Sequence, residues 1–217
     1  MKKNKIEIDI NTIENENVKL FIQSELAHCA QNKIRVELLD APVDFNGYEC
    51  SGHFSDEPDA CLTVSISKNI DEWLPTFVHE CCHKDQYLEK ADVWTVKIGE
   101  RYDALDIFDM WIDRHIELKN YQLRPVLDHI VQVEFDCEKR AVAKIQKHNL
   151  PINVTEYIQK ANSYIWYYHA AAYHRAYTQR TSPYVRAELW SKMPVDFDNN
   201  YSTISSKMLK LYTKYCY

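Results

Sequence analysis

The stretch "FVHECCHKDQYLEK", Phe77 to Lys90, contains His79-Glu80-Cys81-Cys82-His83, an H-E-x-x-H pattern. Residues four apart on a helix stack on one face, so His79 and His83 can grip one metal ion. A catalytic zinc takes three protein ligands and keeps a fourth position for water. Glu80, beside the histidines, is placed as general base toward that water, whose pKa the metal lowers while polarising a carbonyl. Projected at ~100° per residue, Leu74, Phe77, Val78, Cys81 and Leu88 fall away from the histidines. The helix thus has one side for a core and one for a site. Gln86 follows His83 on the histidine face, within hydrogen-bonding reach of the site. Asp85 falls off that face and is expected in solvent.

Upstream, apolar spacing predicts a helix over 14–31 and strands at 34–39, 47–54 ("GYECSGHF") and 60–67 ("ACLTVSIS"), with a turn over 42–47. Residues 1–13 read as a short strand or loose arm. The motif helix begins between Asp71 and Pro75, where a proline costs no first-turn hydrogen bond. Downstream, 91–100 reads as a strand or extended connection and 102–118 as a helix. A long helix starts near Pro125 and ends near Asn149. Another runs over 153–180, with Asn153 as cap and Glu156 three positions on.

The chain has 217 residues, 46% hydrophobic and 27% charged, which is a globular composition. Three glycines and seven prolines suit long helices with few tight turns. A net charge of -6 argues against a nucleic-acid partner. Seven cysteines without a disulfide spacing predict reduced thiols and a cytoplasmic location. No signal peptide, spanning segment or lipid-anchor motif is apparent, so no membrane partner is expected.

The third ligand must come from elsewhere. On the 125–148 helix, Leu127, Ile130, Val131, Ala141, Val142 and Ile145 form an apolar stripe, and Glu134 and Glu138 project into it. Carboxylates are rarely buried unless paired or metal-bound. Asp136 falls on the opposite face with Gln132, Arg140 and Lys147 and is expected in solvent.

With these motifs in place, the chain resembles zincin metallopeptidases of the glutamate-ligand class, in particular ImmA-like proteases and phage-encoded metallopeptidase-like proteins. Their order of a helix, a few strands, the H-E-x-x-H helix and a glutamate helix is followed over residues 14–148. The resemblance implies an α+β, mostly helical minimal zincin fold with a small mixed sheet. It implies a single domain over 1–217, with an inserted segment 91–124 and a helical extension 153–217. "EKRAVA", Glu138 to Ala143, resembles the family's E-A-N-x-F-A glutamate motif, although Lys139 and Arg140 stand where alanine and asparagine are usual. It implies zinc, one ion, held by His79, His83 and Glu138, with Glu134 behind them or as the alternative ligand. The implied activity is hydrolysis of a peptide or protein substrate, with Glu80 as base. An edge strand beside the motif helix would seat the peptide by backbone pairing, and "ACLTVSIS" is the expected one.

Tyr164 and Tyr168 share a face with Tyr157 and are expected to steady the oxyanion. The alternative for such aromatics is core packing with polar tips. His53 is a further residue for the cleft, while His115, His129 and His174 read as ordinary histidines. Two rival functions remain: a noncatalytic zincin-fold protein used for binding or structure, and a metal-dependent hydrolase of a non-peptide substrate. Glu80 argues against the first, since a structural zinc has no use for a base.

Overall fold

Asn15, Asn69, Asp103, Asn153 and Ser205 each turn a side-chain oxygen onto the backbone N–H three residues ahead. Each such cap satisfies a donor that helix geometry leaves without an intrahelical partner, worth about 1 kcal/mol. The helices they start organise the computed structural model, which describes residues 8–45, 48–96, 102–178 and 182–217. In chain order the elements begin with α1 (Glu16–Gln31), β1 (Arg35–Leu39), β2 (Val43–Phe45), β3 (Tyr48–Cys50), β4 (Gly52–Ser55), β5 (Cys61–Ser65) and α2 (Ile70–Glu89). They continue with α3 (Asp92–Thr95), α4 (Ala104–Ile112), α5 (Asn120–Lys147), α6 (Val154–Ile165), α7 (Tyr167–His174), α8 (Ala187–Trp190) and α9 (Ser206–Tyr215). The architecture is α+β, mostly helical with a small mixed sheet, as the sequence leads one to expect.

Two compact units emerge, Met1–Ala91 with Lys139–Ile152, and Asp92–Glu138 with Asn153–Tyr217. The segment expected as an insertion and the one expected as an extension therefore belong to the same unit.

In the first unit the sheet order is β1-β5-β4, with β1 parallel and β4 antiparallel to β5; β2 and β3 form a separate hairpin. Strand β5 is thus the inner strand, and the edge-strand expectation for "ACLTVSIS" is overturned. Its Cys61, Leu62, Thr63 and Val64 are all buried, which suits a strand paired on both sides. The edge strand that contacts α2 is β4. Core residues include Phe21 and Ile22 of α1, Leu62 and Val64 of β5, Leu74 and Phe77 of α2, and Ala141 and Ile145 of α5. Phe21 meets Phe77 edge-on at 6.1 Å.

A buried charge cluster crosses this core. Lys84 is fully buried and ion-pairs with Glu25 and with Asp85 at 3.1 Å. Lys144 reaches the same two carboxylates, at 2.5 Å and 2.8 Å. Two positive and two negative groups balance, and they tie α1, α2 and the end of α5 together. Asp85 is accordingly half-buried and paired, not solvated as expected.

In the second unit, Phe108, Ile130, Val131, Ile165, Ala170, Ala171, Leu189 and Tyr212 lie at the centre of the core. Asn162, fully buried, donates to the Pro194 and Asp196 carbonyls and accepts from the Tyr201 hydroxyl, so the stretch after α8 is held to α6. Arg175 grips Glu117 through two hydrogen bonds of 2.9 Å and stacks on Trp111 at 4.8 Å.

Several element expectations need correction. The 42–47 turn is largely strand β2, and residues 46–47 lie outside the described residues. The 47–54 strand is two strands with different partners. Residues 92–95 are helical, not extended, and 97–101 lie outside the described residues. The 102–118 helix ends at Ile112. The 153–180 helix divides at Trp166 and stops at His174, where Arg175 takes a left-handed φ of 47°; residues 179–180 lie outside the described residues. Of the N-terminal arm, Ile10–Thr12 form a 3-10 turn; residues 1–7, and with them most of the strand alternative, lie outside the described residues. Pro75 and Pro125 are each the sixth residue of their helix, beyond the first turn. Pro75 withholds an N–H from the Asp71 carbonyl, a loss lessened because Asp71 is exposed and water can serve instead.

Candidate metal centre

Helix α2 carries the motif on a frame that both ends define. Asn69 caps it, Asp71 and Glu72 complement its N-terminal dipole, and Lys90 closes it with a left-handed φ of 51°. One turn apart on this frame, the His79 and His83 rings are set edge to face, with Nε2 atoms 3.1 Å apart. His83 Nδ1 meets Gln86 Oε1 at 2.8 Å, and Gln86 is fully buried. An amide oxygen only accepts, so His83 carries its proton on Nδ1 and keeps the Nε2 lone pair for a ligand.

Two imidazole nitrogens at about 2.1 Å from one tetrahedral ion stand roughly 3.4 Å apart. The pair is within a few tenths of an ångström of that spacing, and its donor type suits zinc, so these residues fit the ion. A metal-binding cluster can form around them.

Glu80, between the histidines in sequence, is only 5% exposed. Its place depends on Gly52 of β4. A Cβ on Gly52 would lie 2.8 Å from Thr76 Cγ2, 2.9 Å from the Thr63 carbonyl oxygen and 3.1 Å from Glu80 Cγ. Only glycine lets β4 approach the helix this closely beside the glutamate. His53, the next residue of β4, lines a groove of about 240 Å³ with Arg35, Glu57 and Thr63. It alternates with Gly52 and so belongs to the opposite face of the strand from the one against Glu80.

Glu25, His28 and Asp85 form a second group of metal-ligand type. Lys84 and Lys144 already neutralise its carboxylates, and Lys84 also reaches His28 Nδ1 at 2.9 Å. A cation there would have to displace two ammonium groups, that of Lys84 fully buried and that of Lys144 half-buried.

In the second unit, Glu134 and Glu138 are buried as the apolar stripe predicts, at 7% and 4% exposure. Tyr157 donates to Glu138 Oε2 at 2.7 Å, and Tyr168 donates to Glu134 Oε1 at 3.2 Å. Tyr164 and Tyr168 have hydroxyls 3.0 Å apart. Since Tyr168 gives its proton to Glu134, Tyr164 donates to Tyr168, making a chain Tyr164–Tyr168–Glu134. Burial, then the nearby Glu134, push the Tyr168 phenol far above its ordinary range, so it stays protonated. Asp136 is half-buried, not open to solvent. His174 pairs with the Thr213 hydroxyl at 2.9 Å, and burial holds half-buried His129 below its ordinary range.

The sequence reading missed Tyr157 as a partner of Glu138, although both residues were in view. It also missed the charge cluster. There a signal existed: Glu25 and Lys84 lie on the core stripes of their helices, as Glu134 and Glu138 do on theirs. None of the seven cysteines forms a disulfide, and no described helix is long and apolar enough to cross a membrane. Comparison of the chain with protein-family models, with curated proteins and with solved structures finds no match in any of the three.

Proposed function

We propose that this chain is a zinc-dependent peptide hydrolase with Glu80 as general base. The observation that carries the reading is the 3.1 Å approach of the His79 and His83 Nε2 atoms on the helix that also presents buried Glu80. Glu138 is proposed as third ligand, on the chemistry of its buried carboxylate and on the resemblance of "EKRAVA" to the zincin glutamate motif. Cys137 beside it is fully buried and offers a thiolate, the competing donor.

When bound, zinc supplies Lewis acidity to the scissile carbonyl and acidifies a neighbouring water. Glu80 would take a proton from that water as the water oxygen bonds to the carbonyl carbon, and would pass it to the departing amine as the C–N bond breaks, leaving a carboxylic acid and an amine. Gln86 holds His83 in the tautomer that binds. Glu134 orders the site from behind, and Tyr164, half-buried at the outer end of the tyrosine chain, would turn its one proton from Tyr168 to the oxyanion, while Tyr168 stays bonded to Glu134. A peptide is the substrate suited to β4, the edge strand packed on α2. Seven cysteines without a disulfide favour a reducing compartment, the cytoplasm.

The test is hydrolysis of an unstructured protein such as casein by the zinc-loaded chain and by Glu80→Gln. The variant should keep its zinc and lose activity by at least about a hundredfold. Wild-type turnover in Glu80→Gln would overturn the mechanism.

A further inference from the structure

Helix α9 carries Lys207, Lys210 and Lys214 at positions i, i+3 and i+7, all exposed and all on one face. Like charges one turn apart repel and work against the helix. Elsewhere the chain pairs lysines at this spacing with acids, as Lys19 with Glu16, Lys68 with Glu72 and Lys160 with Glu156. The helix dipole favours Lys214 in the last turn but opposes Lys207, which stands in the first. Helix stability therefore does not account for the stripe.

The patch widens at the end of α9. Lys192, from the stretch after α8, donates to the Tyr215 hydroxyl at 3.1 Å and lies 4.7 Å from the ring centroid. Lys214 lies 4.8 Å from the same centroid. Two ammonium groups flank one ring, and their hydrogen bonds, that of Lys192 first, hold the Tyr215 phenol below its ordinary range. Among the described residues no carboxylate pairs with any of these four lysines. In a chain of net charge -6, they make a local field that attracts anions.

The surroundings select the anion. A bilayer surface is disfavoured because the apolar side of α9 is already in the core, with Tyr212 fully buried and Met208, Leu209 and Leu211 packed beside it. A nucleic-acid strand is disfavoured because its bases need open aromatic faces, and ammonium groups occupy the Tyr215 ring. Lys207 to Lys214 covers about 10 Å of helix axis at ~1.5 Å per residue. Side chains on one side of an extended peptide recur every ~7 Å, so two or three carboxylates can meet the stripe.

We propose that the exposed face of α9, together with Lys192, is a docking site for a short acidic segment of a partner protein, a run of aspartates and glutamates in extended form. The zinc chemistry proposed above plays no part in it.

Fluorescence anisotropy with a labelled octapeptide of alternating glutamate and aspartate tests the site on the whole chain. The wild type should bind it, and Lys207→Glu/Lys210→Glu/Lys214→Glu should weaken binding at least about thirtyfold. Raising salt from about 0.05 to about 0.5 M should have a similar effect. Lys33→Glu/Lys68→Glu/Lys147→Glu makes the same charge change at exposed lysines of the first unit and should weaken binding less than about threefold. Failure of the wild type to bind, or equal losses in the two triple variants, would overturn the site. Tighter binding of an eight-nucleotide single strand or of phosphatidylserine vesicles through the same lysines would overturn the acidic peptide as its occupant. Circular dichroism checks that the variants are folded. Should the α9 triple variant not fold, Lys192→Gln/Lys210→Gln replaces it, with a loss of about tenfold expected and an unchanged affinity overturning the site.

Discussion

Gln86 Oε1 lies 2.8 Å from His83 Nδ1, while His83 Nε2 lies 3.1 Å from His79 Nε2. One histidine is thus held at its back by a buried amide and meets its partner at its front. That arrangement holds the His83 ring from both of its nitrogens.

Replacing Gln86 with Leu keeps a similar volume and removes the acceptor. Zinc affinity is expected to fall about 10- to 100-fold. Gln86→Glu, which restores an acceptor, should recover most of it. Chelator competition on both variants measures this, and equal affinity for Leu and Gln at this position would show that the amide does not orient the ligand.

Gly52 is expected to tolerate no side chain. The Thr63 carbonyl belongs to the inner strand and cannot retreat, so a Cβ must push β4 away or displace Glu80. Gly52→Ala should destabilise the chain by about 1–3 kcal/mol, an overpacking cost. Peptide hydrolysis should drop at least about tenfold with zinc retained. Denaturant unfolding and casein hydrolysis measure the two effects, and unchanged values in both would contradict the close approach of β4 to the helix.

The buried charge cluster makes stability depend on pH at both ends. Burial works to raise the Glu25 and Asp85 carboxyls, but Lys144 and Lys84 outweigh it and hold both below their ordinary range. A carboxyl depressed in the folded state adds stability that is complete above its unfolded value, near ~4, and lost as pH falls through the folded value. For Lys84, burial works downward, but Cys81 and Glu25 outweigh it and raise its pKa. Its contribution is complete below its unfolded value, near ~10.4, and lost as pH rises through the folded one. Stability from the cluster should therefore be level from about pH 5 to about pH 10 and decline on either side. At pH 7, Lys84→Met should cost about 3–5 kcal/mol by leaving Glu25 and Asp85 to share one ammonium, that of Lys144, and the cost should shrink in acid as Glu25 takes a proton. Urea unfolding across pH tests this; a loss below about 1 kcal/mol, independent of pH, would contradict it.

Helix α2 was legible in the sequence because two signals agree, an apolar face and histidines one turn apart; its start at Ile70, capped by Asn69, lies just ahead of the expected one. Glu134 and Glu138 were legible as buried for a related reason, since a carboxylate inside an apolar stripe breaks the pattern. The place of β5 was not, because strand order depends on pairings between distant segments, which the period-two pattern of Leu62 and Val64 does not encode. Nor was the break at Trp166, where neither glycine nor proline marks the end of α6 and tertiary packing decides. Glu25, Lys84 and Lys144 each look anomalous on their own helices, but their pairing joins residues 59 and 119 positions apart.

Zinc K-edge absorption spectroscopy on protein purified without chelator, together with its zinc content, tests the metal centre most directly. The account predicts about one zinc per chain, with only nitrogen and oxygen neighbours near ~2.0–2.1 Å and two imidazoles among them. A sulfur neighbour near ~2.3 Å would put Cys137 in place of Glu138 as ligand. A chain that takes up no zinc at neutral pH would contradict the metal centre itself.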